Sequence, residues 1–450
     1  MPSLFDDVET EQYLTLKEVA QFLEISEATV RNWMKKKMIV PQKIFNRKKL
    51  FLKSDIEQIK KDIEAGNFQR LQSRRNKKAI QGEAIPSEYV TYKPYINIAE
   101  KICELAKTIE HEHKIRLLLL EIALTLLHER KKIPSPPDEN ASFVETLQKK
   151  ALDLKPYEPI LLELFDYKNH MFTARDLHKL RKIRALNIPF IEGEDVLGLV
   201  YLSLSNIGKR KNRGSYYTPS SIVENVVAVT LNHLPDAKDK TFLDPCCGSG
   251  NFLLKIFLSL RSEWLKSGKN IAKAEQHILQ RQLFGYDIDE VAALLCKINL
   301  VLHLESPLAL QFTPNVFVQN TLTNIDKQKK YDCIIGNPPW GASFSPEEAT
   351  FFKQHYEIAQ TSLESFNLFL ERSLNMLNDG GILSFVLPEA LLNVKTHEKM
   401  RKRLLTLTSI LHIHVLGHQF SKVFAPAVVL TVKKEKALKS HKIHIRHHDR

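Results

Sequence analysis

Four short apolar runs between residues 241 and 337 each end on an acid or an amide. "TFLD" ends at Asp244, "QLFGYDID" at Asp287 and Asp289, "NVFVQN" at Asn320 and "YDCIIGN" at Asn337. Runs of this length, stopped by a polar residue, read as buried strands. After the first run, Gly248 and Gly250 turn the chain into a helix beginning near Asn251. Strand, glycine turn and helix bring backbone close to a ligand at a helix amino terminus. No Gly-Lys-Ser/Thr follows and the spacing is not G-x-G-x-x-G, which excludes the P-loop and the dinucleotide fingerprint. An acid ending the second strand is placed to accept from ribose hydroxyls. The pattern therefore predicts a doubly wound α/β sheet holding an adenosine-type ligand.

The fourth run leads into "NPPWGA", which crowds two prolines, a tryptophan and a glycine behind Asn337. The chain has only 15 glycines and 3 tryptophans, so this density marks a rigid turn at a strand's carboxyl end. Prolines fix φ there and remove amide hydrogens.

A length of 450 residues suggests about three domains, and 43% hydrophobic with 26% charged residues suits a well-cored soluble protein. The net charge of +13 and pI near 9.3 favour a polyanionic partner, nucleic acid or anionic membrane. The first residues, "MPSLFDDVETEQ", are acidic and lack the apolar core of a signal peptide. The most apolar stretch, Ile115 to Leu127, contains Glu121 and is too short to span a bilayer, so it reads as a buried helix. The five cysteines form no C-x-x-C pair and no ligand spacing with histidine. The expectation is a cytoplasmic, reduced protein with no metal and no membrane contact.

Residues 13 to 40 place Leu16, Val19, Ala20 and Leu23 on one helical face, then "EIS", then a second helix from Glu27 to about Lys36. Ser26 is the expected N-cap, and Ala28, Val30 and Trp33 are expected to be buried. Ile44-Phe45 and Leu50-Phe51 flank basic residues as a hairpin would, and Ser54 is expected to cap a helix running to Ile63. The segment resembles the winged helix-turn-helix of the MerR and excisionase type. That resemblance implies binding to double-stranded DNA, with Thr29, Arg31, Asn32, Lys35, Arg47 and Lys48 as candidate contacts. The plainer alternative is a helical hairpin whose basic face binds protein. The reading divides the chain into this module at 1–65, a basic linker at 66–91, a helical domain without catalytic residues at 92–205, and a catalytic domain at 206–450.

"YYTP" (216–219), "DPCCGSGNFL", "GYDID" and "NPPW", in this order, resemble the γ group of S-adenosylmethionine-dependent DNA adenine-N6 methyltransferases. The resemblance covers roughly residues 195 to 435. It implies a Rossmann-like, seven-stranded class I methyltransferase sheet, with "ILHIHVLG" and "AVVLTVKK" as the last two strands and the final one antiparallel. It implies a cofactor site of Tyr217, Thr218, Pro219, Asp244, Cys246, Gly248, Gly250, Asp287, Ile288 and Asn320. Asp287 would bind the ribose, Ile288 would pack on the adenine, and Asn320 stands where the family usually has an aspartate. One of Asp287 and Asp289 reads as a solvated loop charge.

The implied catalytic residues are Asn337, Pro338, Pro339 and Trp340. The Asn337 side-chain oxygen and the Pro338 carbonyl would accept the two N6 hydrogens of a flipped adenine and aim its nitrogen at the methyl donor. Trp340 and Phe424 would stack on the base. The reading is a site-specific DNA adenine-N6 methyltransferase of a restriction–modification or related defence system. A DNA-binding regulator with a vestigial core, and a methyltransferase acting on RNA or on protein glutamine, stay open. So do three sources of specificity: a separate subunit, a continuation of the chain, or the amino-terminal module. A restriction endonuclease is a further expected partner.

Overall fold

The computed structural model describes residues 13–23, 27–35, 38–45, 48–64, 85–106, 112–169, 172–205, 217–306, 313–325, 329–417 and 426–447. The chain forms two compact units, residues 1–81 and 82–450.

In the first unit, strand β1 (Tyr13–Thr15) leads into the helix Leu16–Phe22. Thr15 caps that helix and Glu18 reaches back to the Thr15 backbone, a reciprocal capping box. The helix Glu27–Lys35 follows, then β2 (Lys43–Phe45), β3 (Lys48–Leu52) and the helix Lys53–Glu64. The strands pair antiparallel in the order β1-β3-β2. Val19, Ala20, Leu23, Val30, Trp33, Ile39, Phe51 and Ile56 form a separate small core. The two helices and the hairpin fall where the apolar spacing put them. The last helix starts one residue before Ser54, so Ser54 lies inside its first turn. The expected N-cap Ser26 lies outside the described residues.

The second unit opens with helices and closes with a sheet. Glu112–Glu129 is its longest helix, and Leu117 to Leu127 are buried on all sides. A helix apolar all round belongs in a core. Glu121 lies within that core at 0% exposure and accepts from the Phe143 and Val144 N–H groups at 2.8 and 3.1 Å. It thereby caps the helix Phe143–Gln148 from another element. No helix among the described residues is long and apolar enough to cross a membrane.

Strands β4 (Phe242–Asp244), β5 (Leu283–Asp287), β6 (Asn315–Val318), β7 (Tyr331–Gly336) and β8 (Leu377–Pro388) are joined in parallel. They are followed by β9 (Ser409–Gly417), β10 (Ala427–Lys433) and β11 (His444–His447). The order is β11-β9-β10-β8-β7-β4-β5-β6. Strand β10 pairs antiparallel with both β8 and β9, as expected of the last family strand. Seven strands match the expectation, and β11 adds an eighth, parallel to β9 at the sheet edge. Chain order reverses between β4 and β7, where the crevice of a doubly wound sheet opens. Helices of residues 94–205 and the sheet share one continuous hydrophobic core, from Tyr89 to Val432.

Burial pushes the Glu121 carboxyl up to about 7. The folded state therefore binds more protons than the unfolded one between the ordinary carboxyl range and about pH 7. Its contribution to stability is fully present at low pH and is lost as pH rises through that window. Glu121→Gln should flatten this part of the stability curve by about 1–3 kcal/mol, measured by urea unfolding from pH 5 to 8.

Candidate active site

Four chain segments meet at the β4/β7 crevice. The first is the glycine turn. Asp244 ends β4, and Gly250, at φ +96°, starts the helix Asn251–Lys266 without a side-chain cap. A Cβ at Gly250 would lie 2.5 Å from Cys296 Sγ, so both the conformation and the space require glycine. The turn is sewn to β5: Cys247 N–H donates to the Tyr286 carbonyl at 2.9 Å and Gly248 N–H to Asp287 Oδ2 at 2.8 Å.

Three carboxylates grip residues 246, 248 and 249 of this turn. Asp244 Oδ1 accepts from Cys246 N–H at 3.1 Å, Asp287 takes Gly248 N–H, and Asp195 Oδ2 takes the Ser249 hydroxyl at 2.5 Å. Asp195 is 2% exposed and gathers further bonds from the Tyr89 hydroxyl, Gly198 N–H and Asn299 Nδ2. Burial raises its carboxyl above the ordinary range. Burial, with the Asp287 charge nearby, pushes Asp244 up to about 7.

The second segment is the end of β5. Asp287 Oδ1 also accepts from Asp289 N–H at 2.8 Å, and Ile288 is 56% exposed beside it. Asp289 caps the helix Glu290–Leu302 through Ala292 N–H and receives the Tyr201 hydroxyl. Neither acid is a solvated loop charge, which corrects the expectation for one of them. The third segment follows β6. Asn320 Oδ1 accepts from Leu322 N–H at 3.0 Å and closes a local turn, while the Thr321 hydroxyl reaches the Pro245 carbonyl at 2.6 Å.

The fourth segment is Asn337-Pro338-Pro339-Trp340. A Cβ at Gly336 would lie 2.6 Å from Asp244 Oδ1, so β4 and β7 touch at their carboxyl ends. The Asn337 backbone hydrogen-bonds to Cys246 in the facing loop. Ser365, fully buried, donates to the Pro339 carbonyl at 2.5 Å and accepts from Ala342 N–H at 3.3 Å, clamping the loop on both sides. Asn337 Nδ2 donates to Thr218 Oγ1 at 3.0 Å, and Asn337 Oδ1 is buried with no hydrogen-bond partner. Tyr217 is half-buried and meets Tyr89 edge-on at 6.3 Å, and Pro219 precedes the helix Ser220–Asn232. Trp340 is 6% exposed and belongs to the main core. In this conformation its ring supports the loop rather than facing open space.

Phe424 lies outside the described residues, as do Arg47 and the side chains of Thr29, Asn32, Lys35 and Lys48. Arg31 is exposed and pairs with Glu27 at 2.8 Å on the same helix. Sequence reasoning missed Asp195, Ser249, Asn299, Gly336 and Ser365. Gly336 stood in plain view before Asn337, but its requirement arises from a strand 92 residues earlier in "TFLD" (336 − 244 = 92). Asp195 directly precedes the apolar helix Val196–Ser205, and nothing near it in sequence announces Ser249 or Asn299 as its partners.

Residues 192–449 match the N-6 DNA methylase family, and residues 13–62 match a helix-turn-helix domain. This chain belongs to the N-6 DNA methylase family. It is 29% identical over 235 residues to the type II methyltransferase M.VspI of Vibrio sp. (strain 343), covering 52% of this chain and 50% of that one. It is 26% identical over 283 residues to the type I restriction enzyme EcoEI methylase subunit of Escherichia coli, covering 61% of this chain and 53% of that one. The chain thus spans about half the length of these curated relatives. The type IIL restriction-modification enzyme MmeI, solved in complex with DNA, shares the fold at TM-score 0.55 and 16% identity, over 78% of this chain and 58% of that one.

Asp195→Asn keeps the shape of the buried network and can still accept from Gly198 and Asn299, but its amide nitrogen makes the Tyr89 and Ser249 hydroxyls reverse to accept. It should destabilise the chain by about 2 kcal/mol in urea unfolding, as the loss of hydrogen bonds to a charged group does.

Proposed function

We propose that this N-6 DNA methylase family member transfers the methyl group of S-adenosylmethionine to N6 of adenine in double-stranded DNA, as the modification enzyme of a restriction–modification system. The carrying observation is Asn337: a buried amide oxygen without a donor, on a clamped loop beside a glycine turn. An acceptor so placed lacks an N–H group, which an exocyclic amine supplies.

The residues around the turn suit that cofactor. A bare helix amino terminus favours anions such as phosphate. Here Asp195, Asp244 and Asp287 surround the turn and reverse the local sign, which suits a ligand carrying ammonium and sulfonium charges. Ile288 offers an exposed apolar face for an adenine ring, and Asp287 sits beside it for ribose hydroxyls. Asn320 already closes its own turn through Oδ1, so its part in holding the cofactor adenine is the weakest of the set. When bound, S-adenosylmethionine supplies a methyl group activated by a positively charged sulfur.

The protein's work is positioning. Asn337 Oδ1 and the Pro338 carbonyl accept the two N6 hydrogens and hold the nitrogen lone pair on the attack line. The prolines and Ser365 keep those acceptors still. Stacking of the target base on Trp340 requires its ring to be uncovered on DNA binding. The amino-terminal unit binds DNA through the helix Glu27–Lys35; the exposed Arg31–Glu27 pair is the kind that contributes little and yields readily to phosphate. Specificity comes from a separate recognition subunit, from a continuation of the chain or from the amino-terminal unit. A restriction endonuclease and a cytoplasmic location belong to the same reading.

Incubation with plasmid and S-adenosylmethionine, followed by sequencing for N6-methyladenine, tests the activity. Asn337→Ala should lower transfer at least about 100-fold and leave cofactor affinity within a few-fold. Wild-type transfer by that variant sinks the proposal, and N6-methyladenine in RNA instead would move it to another substrate.

The raised Asp244 carboxyl gives a second test. A cationic ligand binds the ionised form, so affinity should rise with pH and level off above about 7. The dissociation constant for S-adenosylmethionine should tighten about tenfold from pH 6 to pH 8, by calorimetry, and Asp244→Asn should remove the slope.

A further inference from the structure

Residues 88–91 join two segments that wall the proposed cofactor site. The Glu88 carbonyl accepts from Ser220 N–H at 3.0 Å, at the first residue of the helix Ser220–Asn232. The Tyr89 ring meets the Tyr217 ring edge-on. The Tyr89 hydroxyl lies 2.8 Å from Ser249 Oγ in the glycine turn and also bonds Asp195 Oδ2. Thr91 N–H donates to the Glu194 carboxylate at 3.0 Å, beside Asp195. One short stretch thus holds residues 217–220 by its backbone and ring, and the turn by its hydroxyl.

The link is enclosed on every side. Tyr89 is 5% exposed, and Asp195 and Ser249 are also buried, so water does not compete for their bonds. A Cβ at Gly198 would collide with both Asp195 Oδ2 and Ser249 Oγ. Gly198 lies inside the helix Val196–Ser205, where glycine is unfavourable unless packing requires it. Here the meeting of Asp195 and Ser249 requires it. Tyr89 precedes residues 192–449, the stretch that matches the family, so the matched motifs do not contain it.

We infer that Tyr89 is a positioning residue of the cofactor site: its hydroxyl on Ser249 and Asp195, and its ring against Tyr217, hold the glycine turn and residues 217–220 as facing walls for the methionine arm of S-adenosylmethionine. Strand order supports that placement. It runs β7-β4-β5, with Asp287 and Ile288 leaving β5, the turn leaving β4, and Thr218 bonded to Asn337 after β7. A cofactor with its adenosine on the β5 side and its methyl group toward Asn337 carries its sulfonium end between the turn and residues 217–220. The inference rests on the methyltransferase reading. Tyr89 touches no reacting atom.

Calorimetric titration of the full chain with S-adenosylmethionine tests it. Tyr89→Phe keeps the ring and removes the hydroxyl, and should weaken the dissociation constant about tenfold, as loss of a buried hydrogen bond does. In plasmid methylation the KM for the cofactor should rise by a similar factor, with kcat at saturating cofactor within about threefold of wild type. Adenosine, which lacks the methionine arm, should show no difference between the two proteins. Ser249→Ala breaks the same link from the turn side, so the double variant should bind no more than about twofold weaker than the weaker single variant. Glu121→Gln, buried in the same unit outside this link, controls for lost stability and should bind within about twofold of wild type.

Binding by Tyr89→Phe within twofold of wild type overturns the inference. So does a double variant in which the two losses multiply, or a loss for adenosine equal to that for S-adenosylmethionine. Should Tyr89→Phe fail to fold, Ser249→Ala is judged by the same limits. A wild type that binds no S-adenosylmethionine strikes the methyltransferase reading and this inference with it, whereas a wild type and a Tyr89→Phe variant that bind equally well strike the inference alone.

Discussion

Strands β4 and β7 approach so closely at their carboxyl ends that a methyl group on Gly336 would press against the Asp244 carboxylate, at 2.6 Å. The rest of the site depends on that contact. The glycine turn leaves from one strand end and the Asn337 loop from the other, so their separation is set by the missing side chain at 336. Doubly wound sheets open a crevice where strand order reverses, and here the crevice is narrowed at its floor by this approach. In the proposed reaction, the glycine turn would hold the cofactor and the Asn337 loop the target base, on opposite sides of one reacting centre.

The turn is held by groups drawn from across the chain. Asp195 comes from the helical segment, Asp287 from β5 and Asp244 from β4, and each takes one donor of residues 246–249. Burying acids this way is costly, and the raised carboxyls of Asp195 and Asp244 reflect the cost. The helical residues 94–205 therefore do more than fill space. Through Asp195, itself held by Gly198 N–H and by the Tyr89 hydroxyl from the segment before them, they brace the turn, and they share its hydrophobic core.

Much of this was legible in the sequence. The four runs ending in Asp or Asn became strands β4 to β7, and "ILHIHVLG" and "AVVLTVKK", expected from the family resemblance, became β9 and the antiparallel β10. Local pattern suffices there because a buried parallel strand must be apolar throughout. The amino-terminal helices and hairpin were legible for the same reason. What escaped was long-range and polar. One of Asp287 and Asp289 was expected to be solvated because nothing nearby in sequence announces Gly248 or Tyr201 as their partners. Asn320 looked like a ligand contact, yet its oxygen serves Leu322 two residues on. Ser365 and Thr218 stand 26 residues after Pro339 and 119 before Asn337, and no periodicity links them to the loop. Trp340 was expected to stack on a base because the family resemblance implies it, and in this structure packing draws its large ring into the core.

The Asn337 loop also shows why position can outweigh acid–base chemistry at such a site. Adenine N6 has its lone pair delocalised into the ring, and a strong base is neither present on the loop nor required. Two fixed acceptors suffice to favour tetrahedral character at the nitrogen, provided that neither turns away. Prolines fix the carbonyl acceptor through the backbone, which leaves the amide as the one acceptor free to rotate. An aspartate there would present oxygen in either orientation, at the expense of a further buried charge beside Asp244. An asparagine avoids that charge and accepts in its place a dependence on its neighbour. The Thr218 hydroxyl pairs with the amide nitrogen at 3.0 Å, and because a hydroxyl can also donate, that bond anchors the amide without choosing its polarity.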